Sequence, residues 1–110
     1  MKTITRPQKL SSEEIKKISV HTDLSVLFLR EGKRFVVYAP ALDLSTSGKT
    51  FVQASKRFNE IVAIFFEEII RKGTTGEVLE SLGWARNGQR WTPPLIVAHE
   101  SQSIHVPAVA

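Results

Sequence analysis

The stretch TFVQASKRFNEIVAIFFEEIIRKG, Thr50 to Gly73, decides the fold. Thr50 has the hydroxyl of a helix N-cap. Gln53 stands three residues on, where its amide can reach back in a T-x-x-Q capping box. Gly73 stands where a C′ glycine belongs, because glycine enters the left-handed region without steric cost. At about 100° per residue, Phe51, Ala54, Phe58, Ile61, Val62, Phe65 and Ile69 form one stripe, predicted to be the core face. Ala63, Phe66 and Ile70 widen it to roughly twice the ~100° that a helix on a single sheet needs. Glu67 with Arg71 and Glu68 with Lys72 are i,i+4 pairs in the favourable order, and they mark the wet face.

Before this helix the pattern is extended. Val20, Leu24 and Val26 to Leu29 lead into the turn Glu31-Gly32-Lys33, and Phe35 to Tyr38 is β-rich again. The two segments predict a hairpin, with strands covered on both faces for part of their length. Pro40 ends the second strand, and Leu42 to Leu44 predict a short third one before Ser45-Thr46-Ser47-Gly48. Residues 1–20, with Pro7 and one potential helical turn after Ser11, read as an N-terminal arm. Residues 21–110 read as a single domain.

After the long helix, Thr74 to Leu82 predicts a short one, stopped by Gly83. Asn87-Gly88 is a strong hairpin signal. A two-residue loop there pairs Arg86 with Gln89, Ala85 with Arg90 and Trp84 with Trp91, so the indoles would face each other. Leu95 to Ala98 predicts a strand, and Ser103 to Val106 continues it or returns beside it. The expected class is α+β: an antiparallel β-β-β sheet, a long amphipathic helix, a short helix, a β-hairpin and one or two C-terminal strands.

The 110-residue chain has no cysteine, which excludes disulfides and thiolate metal sites. Its first residues lack the apolar run of a secretory signal. Its longest apolar run, Ile61 to Phe66, is far below the ~20 residues that span a bilayer. The expectation is a cytoplasmic protein that does not enter a membrane. Lysine and arginine number 15 against 11 acidic residues, a net +4, and the cations look dispersed along the chain. Arg86 and Arg90 are the ones beside aromatics.

Catalytic patterns are weak. Ser45 to Thr50 resembles the end of a phosphate-binding G-x-x-x-x-G-K-[ST] loop, yet the first glycine's position holds Asp43, which would repel phosphate. His21, His99 and His105 lack ligand spacing, although His21 and Asp23 would share a strand face. Asp23, Asp43, Glu60 and Glu67 could be drawn as a two-metal cluster, but Glu60 and Glu67 lie opposite the helix's core face. No catalytic residue, metal or cofactor is expected.

The middle of the chain resembles the HicB-like antitoxin family. Tyr38, Pro40 and Leu42 follow its Y-x-P-E-L strand end, Gly48 and Thr50 its G-x-T, and Ala54 the opening of its helix. Leu82-Gly83-Trp84 and Val106-Pro107-Ala108 look like longer members. The resemblance implies a partial RNase H-like fold of three antiparallel strands, helix and strand. It also implies a homo-oligomer that masks the RNA-cleaving site of a small toxin ribonuclease. Ala41 departs from the usual glutamate, and a chain ending at Ala110 leaves no room for the C-terminal DNA-binding module that many members carry, which argues against direct DNA binding.

Two functions are therefore expected in competition. One is a non-catalytic protein-interaction module, antitoxin or orphan, using Ala63, Phe66, Ile70, Trp84 and Trp91 as its interface. Against it, the second helix or the tryptophan hairpin could cover Phe66 and Ile70 within one subunit. The other is a single-stranded nucleic-acid-binding domain, using Arg86 and Arg90 beside the two tryptophans.

Overall fold

The computed structural model describes residues 22–108. Its elements are β1 (Leu27–Glu31), β2 (Arg34–Ala39), β3 (Leu44–Gly48), α1 (Phe51–Arg71), α2 (Thr75–Ser81), β4 (Ala85–Asn87) and β5 (Arg90–Thr92). β1, β2 and β3 form an antiparallel sheet in that order, and β4 and β5 form a separate ribbon. The fold is α+β, with its elements in the order the sequence predicts up to Thr92. The N-terminal arm lies outside the described residues.

Local chemistry explains most of these boundaries. Glu31 pairs with Arg34 across the loop Gly32-Lys33. Gly32, at φ 60°, supplies the positive φ that a tight hairpin loop needs at its first position. Pro40 has no N–H for the ladder and ends β2. The amides of Leu42 and Asp43 then donate to the carbonyls of Ala39 and Pro40, both at 3.2 Å, and Asp43 (φ 51°) closes the loop. The third strand therefore begins at Leu44 rather than Leu42. Leu42 is apolar because it is plugged into the core, not because it is in a strand.

The long helix starts and stops on the predicted signals. The Gln53 amide donates to Thr50 Oγ1 at 3.0 Å, while the Gln53 side chain accepts from the amide of Lys49, one residue earlier than a standard capping box, at 2.7 Å. At the other end the Thr74 amide donates to Ile69 O at 2.9 Å and that of Gly73 to Ile70 O at 3.0 Å, a Schellman motif around Gly73. Replacing Thr50 with alanine is expected to remove the cap and cost about 1 kcal/mol, read as a lower urea midpoint at unchanged m-value. An unshifted midpoint would show that the cap adds nothing.

At 1.5 Å per residue, α1 is about 31 Å long, whereas a five-residue strand covers about 17 Å. The helix therefore overhangs its sheet. Its first half packs Ala54 and Phe58 over Val37 and Ala39. Its second half needs another cover, and α2 with the residue after it provides one. A second Schellman motif ends α2: the Trp84 amide donates to Leu79 O at 2.9 Å, around Gly83 at φ 89°. The turn swings Trp84 inward, where it is only 5% exposed in the cluster with Leu42, Ile69 and Leu79. Its Nε1 donates to Ala41 O at 2.7 Å and ties the overhang to the loop after β2.

Three expectations are corrected. The ribbon loop is Gly88-Gln89, with Asn87 paired to Arg90 and Arg86 to Trp91, so the indoles do not face each other. Gly88 (φ 65°) alone carries positive φ in that loop, which suits glycine at its first position. Residues 93–108 contain no strand, and no strand after α1 joins the β1–β3 sheet. A strand needs a partner edge, and Pro93-Pro94 turns this segment away without one. Finally, α1 covers only the face of the sheet bearing Phe35, Val37 and Ala39. Val36 and Tyr38 point the other way, where no helix or strand among the described residues packs.

Candidate functional site

The residues that carry the family resemblance are placed as fold residues. Ala54 and Leu42 are buried, Thr50 caps α1, and Gly48 is buried where β3 meets the start of that helix. Pro40 opens the loop that ends β2. Tyr38 donates from its hydroxyl to Asp43 Oδ1 at 3.1 Å, and that hydrogen bond raises its phenol above the ordinary value. Ala41 is buried beneath Trp84, at the position where the family usually has glutamate. Ser45, Thr46 and Ser47 lie inside β3, so the sequence that mimics a phosphate loop forms a strand instead.

The predicted interface does not come together as one patch. Phe66 is half-buried, edge-on to Phe65 at 5.3 Å and to Trp84 at 6.4 Å between ring centroids. Ile70 is half-buried and Ala63 exposed. Trp84 belongs to the core and Trp91 to the ribbon, half-buried under the Arg86 guanidinium, 5.7 Å from its ring centroid. The wide stripe of α1 is thus largely absorbed within the subunit, because the overhang gathers α2 and Trp84 onto it.

The predicted nucleic-acid site is dispersed as well. Arg86 Nε donates to Gly88 O at 2.8 Å, and Arg90, opposite Asn87, lies on the other side of the ribbon from Arg86 and Trp91. Glu67 pairs with Arg71, and Glu68 with Lys72 at 3.0 Å. The hydrogen bond from Lys72 lowers the Glu68 carboxyl below its usual range. His99 and His105 are exposed in the C-terminal segment. Among the described residues no three histidine or acidic side chains are grouped as metal ligands, and no helix is long and apolar enough to cross a membrane. His21 lies outside the described residues.

Two surfaces stand out instead. The first is the C-terminal segment. Leu95 and Val97 are 74% and 94% exposed, and Ile104 and Val106 are also exposed. Between residues 93 and 108 no backbone group bonds to another backbone group among the described residues. Pro94, Leu95 and Ile96 run past Ser25, Pro40 and Ala41, beside the point where the chain enters β1. β1 is an edge strand whose Leu29 is exposed.

The second surface is the turn end of the same sheet, where Phe28, Phe35 and Phe51 cluster. Phe28 stacks on Phe51 at 4.3 Å and 29°, and Phe35 meets Phe51 edge-on at 6.5 Å. The sequence reading missed both surfaces. A signal existed for the first, in the apolar run Leu95 to Val97 directly after the breaker Pro93-Pro94. None existed for the second, because its members come from β1, β2 and α1. The chain matches no protein-family model, no curated protein and no solved structure.

Proposed function

We propose that this chain is a non-catalytic protein-interaction module that associates with a second copy of itself through its C-terminal segment, and that it acts on another polypeptide as the HicB-like antitoxins it resembles do. The observation that carries the reading is the exposure of Leu95, Val97, Ile104 and Val106 along a stretch with no backbone partner among the described residues, in a subunit whose β1 is likewise an edge among them. An extended apolar segment and an unpaired edge are the two halves of a strand-addition contact. Each subunit holds both, so a reciprocal exchange about a two-fold axis pairs the segment of each subunit with the β1 edge of the other.

Multi-angle light scattering on the full chain at about 100 µM is expected to give the mass of a dimer. A double substitution, Leu95→Asp with Val97→Asp, is expected to weaken dimerisation by roughly 30-fold or more, as charges replace apolar anchors. Leu29→Asp on the receiving edge should do the same. A strict monomer at that concentration would remove the exchange. The antitoxin part is tested separately, by capture from native lysate followed by an RNA-cleavage assay. Recovery of a small ribonuclease that the chain inhibits supports it; recovery of the chain alone leaves a self-associating orphan and overturns it.

A further inference from the structure

Cations that are scattered in sequence are gathered by the fold at the turn end of the β1–β3 sheet. Arg30 is opposite Phe35 on β1, with its guanidinium carbon 5.7 Å from that ring's centroid. Lys33 is in the loop between β1 and β2. Arg34 donates from Nε and NH2 to Ser47 Oγ at 3.3 and 3.2 Å, and Arg57, in the second turn of α1, donates to Ser47 O at 3.0 Å. Ser47 thus orients two guanidinium groups. Lys49 follows immediately after β3. The ion pairs found among the described residues all lie in the last turns of α1, so none of these five cations has a carboxylate at contact distance among the described residues. Glu31, opposite Arg34, is the one acidic side chain in the hairpin turn.

The aromatic cluster lies on the α1 face of this end, with Arg30, whereas Arg34 and the Ser47 hydroxyl lie on the other face. Phe28 and Phe51 are 42% and 49% exposed even though they stack on each other. One face of each ring is used by its neighbour, Phe51 also meets Phe35 edge-on, and part of each ring stays open to solvent. Large exposed rings beside unpaired cations fit a ligand that is both flat and anionic. An acidic peptide would satisfy the charges and leave the rings wet. A duplex would present phosphates but keep its bases stacked inside.

We propose that this end of the sheet binds single-stranded nucleic acid, with bases continuing the Phe28–Phe51 stack and phosphates held by Arg30, Lys33 and Lys49. The surface is distinct from the C-terminal segment and from the Arg86–Trp91 ribbon, and it does not depend on the antitoxin reading.

The test is fluorescence anisotropy of the full chain with a labelled 12-nucleotide oligouridine at 50 and 200 mM NaCl. With about three phosphates engaged, affinity is expected to fall roughly 20-fold between the two salts. A double substitution, Phe28→Ala with Phe51→Ala, should weaken binding at least about tenfold, and Phe28→Tyr with Phe51→Tyr should retain it, because the stacking faces remain. Arg30→Glu with Lys33→Glu should abolish binding, whereas Trp91→Ala should leave it unchanged. The inference is overturned by absence of binding at 50 mM salt or by indifference to the phenylalanine pair. Equal affinity for an abasic strand or a polyglutamate peptide would also overturn it, as would loss of binding in Trp91→Ala.

Discussion

Trp84→Ala is expected to destabilise the chain by about 3–5 kcal/mol, the range for deleting a buried large aromatic. Whole domains are stable by only about 5–15 kcal/mol, so this single change could remove most of the margin. The size of the effect follows from position. Trp84 is the cover for the part of α1 that overhangs the sheet, packed with Ile69 and Leu79 and edge-on to Phe66. Its removal opens a cavity and strips the indole N–H from a buried carbonyl, that of Ala41. Trp84→Phe separates the two contributions. It refills most of the volume but leaves Ala41 O without its donor, a loss of about 1–3 kcal/mol. Urea unfolding followed by circular dichroism reads both. A Trp84→Ala midpoint within error of the parent would mean that the overhang is held by something other than the indole.

Gly48→Ala is the second large effect, and its cause is steric. An added Cβ at position 48 would lie 2.6 Å from the Ala54 amide nitrogen and 3.0 Å from Ala54 Cα. The obstacle is helix backbone, which has no rotamer to change, so α1 must lift off β3 or the strand must shift. A cost of about 3 kcal/mol is expected, the upper part of the overpacking range. Because the shift would move the capped start of α1, the Thr50 cap should contribute less in the Gly48→Ala background than in the parent. That non-additivity is measurable in a double-mutant cycle. A Gly48→Ala chain that unfolds at the parent's midpoint would mean that the close approach is not a constraint. The resemblance's G-x-T pattern thus has a physical content here: glycine lets strand and helix backbones touch, and threonine two residues later caps the helix.

How far the sequence could be read depended on the range of the interaction. The caps of α1, the Gly32 turn and the proline at the end of β2 were all legible, since each depends on backbone geometry within a few residues. The third strand was misplaced because Leu42 is apolar for burial in a loop, which a local pattern does not separate from burial in a strand. The ribbon slipped by one residue because Asn87-Gly88 is a strong turn signal, yet Gly88-Gln89 satisfies the same geometric demand with its glycine first. Leu95 to Ala98 has strand composition but pairs with no strand among the described residues. Strand composition without a partner is only an extended segment.

The candidate sites were less legible than the fold. The width of the α1 stripe was correct as geometry, but Phe66 is covered by Trp84, whose own place depends on a hydrogen bond to a residue 43 positions earlier. The charge pattern failed for the same reason. Arg30, Arg34, Lys49 and Arg57 are dispersed along the chain and come to one end of the sheet only when the β1–β2 turn, the end of β3 and the start of α1 are folded there. Residue order was enough to show where the chain is helical, roughly where it turns and which residues are too apolar for water. The tertiary structure alone decided which of those apolar residues remain in water and where the charge collects. Burial and surface potential are sums over neighbours that the chain brings together from far apart, whereas caps and turns are settled within one turn of backbone.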